Sequence, residues 1–86
     1  MKNLERTLKA LANKRRLAII KYLKGHQPAS VGDIADQIDL SFKATSKHLA
    51  VLHTADIVER NQQSSQMFYR LMESQKPVTK QIISEF

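Results

Sequence analysis

The chain has no cysteine and no tryptophan, and only two glycines and two prolines among 86 residues. Without cysteine there is no disulfide framework, no thiolate metal site and no Cys nucleophile, a pattern that fits a reducing cytoplasm. No glycine-rich phosphate loop is present, and no Ser-His-Asp constellation is evident on so small a scaffold, so an enzyme is not expected. No apolar run approaches the ~20 residues that span a bilayer. The N-terminus carries scattered charges in place of the apolar centre of a signal peptide. A soluble cytoplasmic protein with no membrane partner is therefore expected. What is in excess is positive charge, 14 Lys and Arg against 8 Asp and Glu, a net +6. That balance favours an anionic partner, most simply nucleic acid, with an anionic membrane surface or an acidic protein as alternatives. One domain, residues 1–86, accounts for the length, and its modest core makes an oligomer a reasonable expectation.

Leu4, Leu8 and Leu11, spaced i, i+4, i+7, predict a short amphipathic helix over residues 2–11. Asn13 is placed to cap a second helix over 14–24, with Gly25 at the position past its end where a left-handed residue is common. Leu17, Ile19, Ile20 and Leu23 fall on its inner arc. Arg16 projects onto the same arc, so its stem should pack and its guanidinium should find a carboxylate or a helix-end carbonyl. Residues 26–29 read as a connector with a short extended piece. Ser30 then opens a third helix in a Ser-x-x-Asp pattern, with Val31, Ile34, Ala35 and Ile38 inward and Asp33, Asp36 and Asp39 making it acidic.

After a tight joint at Asp39-Leu40, residues 41–54 read as one helix capped by Ser41 and free of Pro and Gly. At about 100° per residue, Thr45, His48, Leu49, Leu52 and Ala55 fall on one side. Lys43, Ser46, Lys47, Ala50, His53 and Thr54 fall on the other, a basic and hydroxylic face without a carboxylate. Two short helices joined this way, the second basic and polar outward, form a helix-turn-helix over residues 30–54. Ile57 to Asn61 is β-prone, Gln62-Gln63-Ser64-Ser65 reads as a polar loop, and Met67, Tyr69 and Leu71 alternate onto one face of a second strand. This hairpin, residues 57–72, would be a wing. Lys76-Pro77 breaks the chain before a last helix over 77–86, lined by Val78, Ile82, Ile83 and Phe86. The fold class expected is mainly α with a small β-hairpin, a winged helix-turn-helix.

At that point the chain resembles the arsenic-repressor (ArsR) family of winged-helix transcription regulators. Four pieces carry the likeness: residues 8–17 with Arg16-Leu17, then Asp33-Ile34-Ala35, then Ser46-Lys47-His48-Leu49-Ala50-Val51-Leu52, then Ile57-Val58 with Phe68-Tyr69-Arg70-Leu71. The resemblance implies a symmetric homodimer that puts one recognition helix per subunit into successive major grooves of DNA. It also implies dimerisation through the first and last helices, a role that the stripes Leu4, Leu8, Leu11 and Val78, Ile82, Ile83, Phe86 would suit. The alternative is that both stripes close the chain's own core.

The departures from the family pattern are chemical. Metal-sensing relatives use a Cys pair in the third helix, where this chain has Ser30 and Gly32, or Asp, Glu and His in the last helix, where it offers only Glu85. A metal needs several convergent ligands, so neither a metal nor another cofactor is expected. Where relatives often carry Gln and a basic residue, this chain has Phe42 and Ala50. Phe42 then either touches a thymine methyl or packs. The wing tip lacks the family's basic residue, leaving Gln63, Ser64 and Ser65 for contact. The reading is a sequence-specific duplex-DNA regulator, a homodimeric repressor. Its expected contacts are Ser41, Phe42, Lys43, Ser46, Lys47 and Ala50 on the helix, with Arg60, Gln63, Ser64 and Ser65 on the wing. The competing reading is a winged-helix module for protein or structured RNA.

Overall fold

The computed structural model describes residues 2–86. Its elements run α1 (Lys2–Leu11), α2 (Lys14–Gly25), β1 (Ala29–Ser30), α3 (Val31–Ile38), α4 (Phe42–Thr54), β2 (Val58–Gln63), β3 (Gln66–Leu71) and α5 (Pro77–Ser84). Short polar side chains start three of the helices, each accepting from amides that the first turn leaves unpaired. Asn13 Oδ1 accepts from Arg15 N and Arg16 N at 2.9 and 3.0 Å. Ser30 Oγ accepts from Asp33 N, and Ser41 Oγ from Ala44 N, both at 3.1 Å. The joint between α3 and α4 is made by Asp39 at φ 55°, with Leu40 N donating back to Ala35 O at 3.0 Å. Aspartate tolerates that left-handed conformation because its side chain is short and polar.

The core joins every layer. Ile19, Ile20 and Leu23 of α2, Ile34 of α3, Leu49 and Leu52 of α4, and Ile57 and Val58 at the start of the hairpin are essentially inaccessible. The sheet has the order β1-β3-β2 and is antiparallel throughout. The β2–β3 register runs from Val58 opposite Leu71 to Gln63 opposite Gln66. On its other edge β3 takes β1, pairing Ala29 with Tyr69 and Ser30 with Phe68. The extended piece before α3 is thereby a sheet strand, which seats the helix-turn-helix directly on the hairpin. The chain is a winged helix-turn-helix.

Four local expectations change. Gly25 is the last residue of α2 and has no positive φ; the helix closes through His26 N, which donates to Leu23 O at 3.3 Å. The hairpin loop is two residues, not four, because cross-strand pairing carries Gln62 and Gln63 into β2. Ser64 takes the positive φ of 58° that a glycine would usually supply at such a turn. In α1 the inward line is Thr7, Ala10 and Leu11. Leu11 therefore belongs to the chain's own core while Leu4 and Leu8 stay exposed. In α5 the buried residue is Thr79, with Ile82 and Ile83 half-buried against the core; Val78 sits at the margin, and Phe86 lies beyond the helix end, exposed. Lys76 Nζ donates to Thr7 Oγ1 at 3.0 Å, and Lys24 Nζ donates to Ile83 O at 3.1 Å, so α5 is tied to both α1 and α2.

Arg16 holds three helices together. Its Nε donates to Ala10 O at 2.6 Å and its Nη2 to Lys9 O at 2.9 Å, two carbonyls of the last turn of α1 that have no helical partner. These are the helix-end carbonyls expected of it, and the positive charge suits the negative end of the α1 dipole. Its Nη1 lies 3.2 Å from His48 Nδ1 on α4. Because Arg16 can only donate, His48 must offer a lone pair at Nδ1 and carry its proton on Nε2. Burial, and then the charges of Arg16 and Arg15, push the His48 pKa below its ordinary value of 6.5.

Arg16→Met keeps most of the buried stem and removes the donors, so urea unfolding should show a loss of about 2 kcal/mol; an unchanged midpoint would contradict the three-helix tie. For His48 the folded chain resists a proton that the unfolded chain accepts. Stability should therefore be level above pH 6.5 and fall as the pH drops below it. His48→Gln, which retains an acceptor for Arg16, should flatten that fall in unfolding curves measured from pH 7.5 to 5.

Candidate nucleic-acid interface

The outward side of α4 is set by what its inward side buries. Thr45, Leu49 and Leu52 are enclosed, and Ala55 follows just past the helix end. The 3.6-residue repeat then turns Lys43, Lys47 and Ala50 to solvent, with Ser46 half-exposed between them. Phe42, Lys43, Ser46, Lys47 and Ala50 line one shallow depression of about 390 Å³. Lys43 and Lys47 thus stand on the same surface. Ser41, at the N-cap, is exposed, and the first turn holds no acidic residue, so the positive end of the helix dipole faces outward uncompensated. Among the described residues the one ion pair is Arg70 Nε to Glu59 Oε1 at 3.4 Å, on the hairpin. The α4 lysines carry no carboxylate partner.

A second cleft, about 460 Å³, lies between the first turns of α3 and α4 and the hairpin. Phe42 and Ser46 form its helix wall, Arg60 and Ser65 its wing wall, and Met67 its floor, with Ser30 and Gly32 at its far end. The structure therefore brings Arg60 and Ser65 to the same opening as Phe42 and Ser46 of α4. Ser64 is exposed at the tip. Gln63 is not part of this cleft: it lines a depression toward the hairpin's other face with Pro28, Asn61 and Phe68, and Arg60 borders both openings. Strand alternation explains the separation, because Arg60 and Gln63 differ by three positions and so project to opposite faces. Gln62 shares the face of Arg60 and was not among the residues expected to make contact; its Nε2 donates to Ser64 O at 3.5 Å, across the turn. Only the hairpin register, which a polar loop conceals, could have identified it. Gln66 also borders the cleft and was likewise not anticipated.

His53, on the outer side of α4, is half-buried, and His48 sits beneath the face as the partner of Arg16. Ser30 spends its side chain capping α3. Among the described residues no three His, Cys, Asp or Glu side chains gather closely enough to hold a metal ion, and no helix is long and apolar enough to cross a membrane.

Comparison with known proteins agrees with this geometry. A family model described as "Bacterial regulatory protein, arsR family" matches residues 13–60, more than half of the chain. The transcriptional activator HlyU of Vibrio cholerae is 39% identical over 64 residues, which cover 74% of this chain and 58% of that relative. The chain thus spans less than two thirds of that relative's length. A solved structure of HlyU superposes with a TM-score of 0.81 at 32% identity, covering 98% of this chain and 87% of that one. The homodimeric winged helix-turn-helix DNA-binding domain of Mb0332 from Mycobacterium bovis gives 0.83 at 26% identity, covering 98% and 75%. The transcriptional repressor BigR from Xylella fastidiosa gives 0.78 at 30% identity, covering 98% and 79%. Matched through its second helix, its helix-turn-helix and the start of its wing, this chain belongs to the arsR family of bacterial regulatory proteins.

Proposed function

We propose that the chain is a homodimeric transcriptional regulator that binds a specific duplex DNA site and represses by occupying a promoter. The observation that carries this reading is the shared, carboxylate-free outer face of α4, where Lys43, Ser46, Lys47 and Ala50 surround one depression beside an uncompensated helix N-terminus. Lys43 and Lys47 face base edges or groove-lining phosphates, and Ser46 supplies a donor and an acceptor to a base edge. A phosphate at the α4 N-terminus would meet Ser41 and the free amides of that turn. Arg60 and Ser65 add contacts to the DNA backbone from across the cleft, with Ser64 at the tip; Gln63 would reach DNA only around the edge of the hairpin. The acidic side of α3, with Asp33, Asp36 and Asp39 exposed, would keep that helix off the phosphates.

For the dimer, α1 and the C-terminal end supply the apolar surface left uncovered. Leu4 and Leu8 are 43% and 46% exposed along a furrow that includes Ala12, and Phe86 is 42% exposed. Val78, Ile82 and Ile83 border that surface only in part, and Leu11 is withdrawn into the chain's own core. Support for a dimer also comes from Mb0332, whose domain is described as homodimeric. Two of the named relatives divide between activation, for HlyU, and repression, for BigR. Repression is preferred here because site occupancy alone suffices for it, and a promoter–reporter titration decides the direction.

Selection from a random duplex pool should enrich one sequence with paired half-sites. For a dimer neutralising ~6–8 phosphates, log K should fall against log salt with a slope of roughly −5 to −7. Lys47→Ala should weaken binding to the selected duplex; equal loss on a scrambled duplex assigns Lys47 to phosphate, and no loss on either removes α4 from the interface. The double variant Leu4→Glu, Leu8→Glu should sediment as a monomer and bind with about half the salt slope. A dimer that survives both substitutions places the subunit contact elsewhere.

A further inference from the structure

Phe42 does not pack into the chain: it is 63% exposed at the first position of α4. Among the described residues the other exposed large apolar side chains are Leu4, Leu8, Val51 and Phe86. Three of these belong to the terminal segments, and Val51 lies on the flank of α4, nine residues from Phe42 and so half a turn away around the helix. Phe42 alone stands among the lysines, as the wall common to the depression on α4 and the cleft toward the hairpin.

The surroundings of that ring define what would cover it. Phe42, Ser46 and Ala50 follow at i, i+4 and i+8 and make one row along the helix: ring, hydroxyl, methyl. Lys43 and Lys47 make the neighbouring row, so the depression has an apolar floor formed by the ring, the Ala50 methyl and the lysine stems, with ammonium groups at its rim. A matching surface must be anionic overall and offer an apolar projection. Nucleic-acid phosphates supply the first property, and in a major groove the only apolar group at the base edges is the C5-methyl of thymine. An acidic peptide would match the rim, but its carboxylates would leave the ring and the methyl uncovered.

We propose that Phe42 is a specificity-determining residue that reads a thymine C5-methyl, with Ala50 receiving a second one further along the same row. The inference rests on the DNA-binding reading above and adds a base preference to it. Eight residues of helix span about 12 Å, which corresponds to about 3–4 base pairs at ~3.4 Å per pair. The half-site therefore carries thymines about that far apart, with a pair between them read by Ser46 through a hydrogen bond.

The test uses the duplex selected from the random pool, resynthesised with deoxyuridine in place of thymidine, which removes the methyl and keeps every hydrogen-bonding group. Wild-type binding should weaken about fourfold for each methyl read. Single deoxyuridine replacements should localise the loss to one or two positions per half-site, about 3–4 base pairs apart when there are two. Phe42→Ala should bind thymine and uracil forms alike at the position assigned to Phe42. The side chain is exposed, and thermal melting checks that the variant remains folded. Equal binding of the two forms by the wild type overturns the inference and leaves DNA binding standing, as does a uracil penalty that persists in Phe42→Ala. A pool that yields no enriched duplex overturns the DNA-binding reading and this inference with it.

Discussion

Burial along one side of α4 governs what the other side presents. Leu49 and Leu52 are completely enclosed and Thr45 with them, so the helix cannot rotate without exposing two leucines and opening the centre of the core. A rotation of even one residue position, about 100°, would exchange Lys47 for His48 at the surface. The outer face therefore has no freedom of its own: its orientation is the complement of a hydrophobic constraint, and its rigidity is that of the core. One polar atom is enclosed in the same seam without a hydrogen-bond partner among the described residues, Thr45 Oγ1.

The position of α4 relative to α1 is set differently, by a cation on α2. Arg16 places its guanidinium between the last carbonyls of α1 and the imidazole of His48, so three helices share one set of donors. A carboxylate is not required, because the unpaired carbonyls at a helix C-terminus provide comparable hydrogen bonding along with a favourable dipole. The consequence is geometric. The helix whose exposed leucines are proposed to meet a second subunit and the helix proposed to enter DNA are held through the same side chain, and a shift of α1 would be felt at His48. The neutral form of that histidine is part of the arrangement, since a second positive charge would face Arg16 across 3.2 Å.

Charge is partitioned between elements in a manner consistent with that layout. Asp33 and Asp36 of α3 and Asp39 at the joint lie outward, and α4 has no acidic residue at all. The hairpin neutralises part of its own charge through Glu59 and Arg70, opposite each other in the register, and leaves Arg60 toward α4. The wing is thus weakly basic on the side toward α4 and nearly neutral on the other.

Much of this was legible in the residues. The helix starts at Asn13, Ser30 and Ser41, the inner faces of α3 and α4, and the alternation of Met67, Tyr69 and Leu71 follow from local rules, because capping and periodicity involve residues only a few positions apart. The same periodicity puts Lys43, Ser46, Lys47 and Ala50 on one face. What tertiary structure alone decided are the contacts between distant segments. The pairing of β1 with β3 made a connector into a strand and, with it, seated the helix-turn-helix against the wing. The hairpin register shortened the loop to Ser64-Ser65 and so turned Gln63 away from the cleft that Arg60 shares with α4. The stripes on the terminal helices were divided, Leu11 inward and Leu4 and Leu8 outward, because an apolar row tells only that a face seeks cover and not which neighbour will supply it. Arg16 found His48 32 positions away for the same reason. A sequence carries its short-range hydrogen bonds and its helical periods openly, whereas the partner of each apolar face is a property of how the elements are stacked.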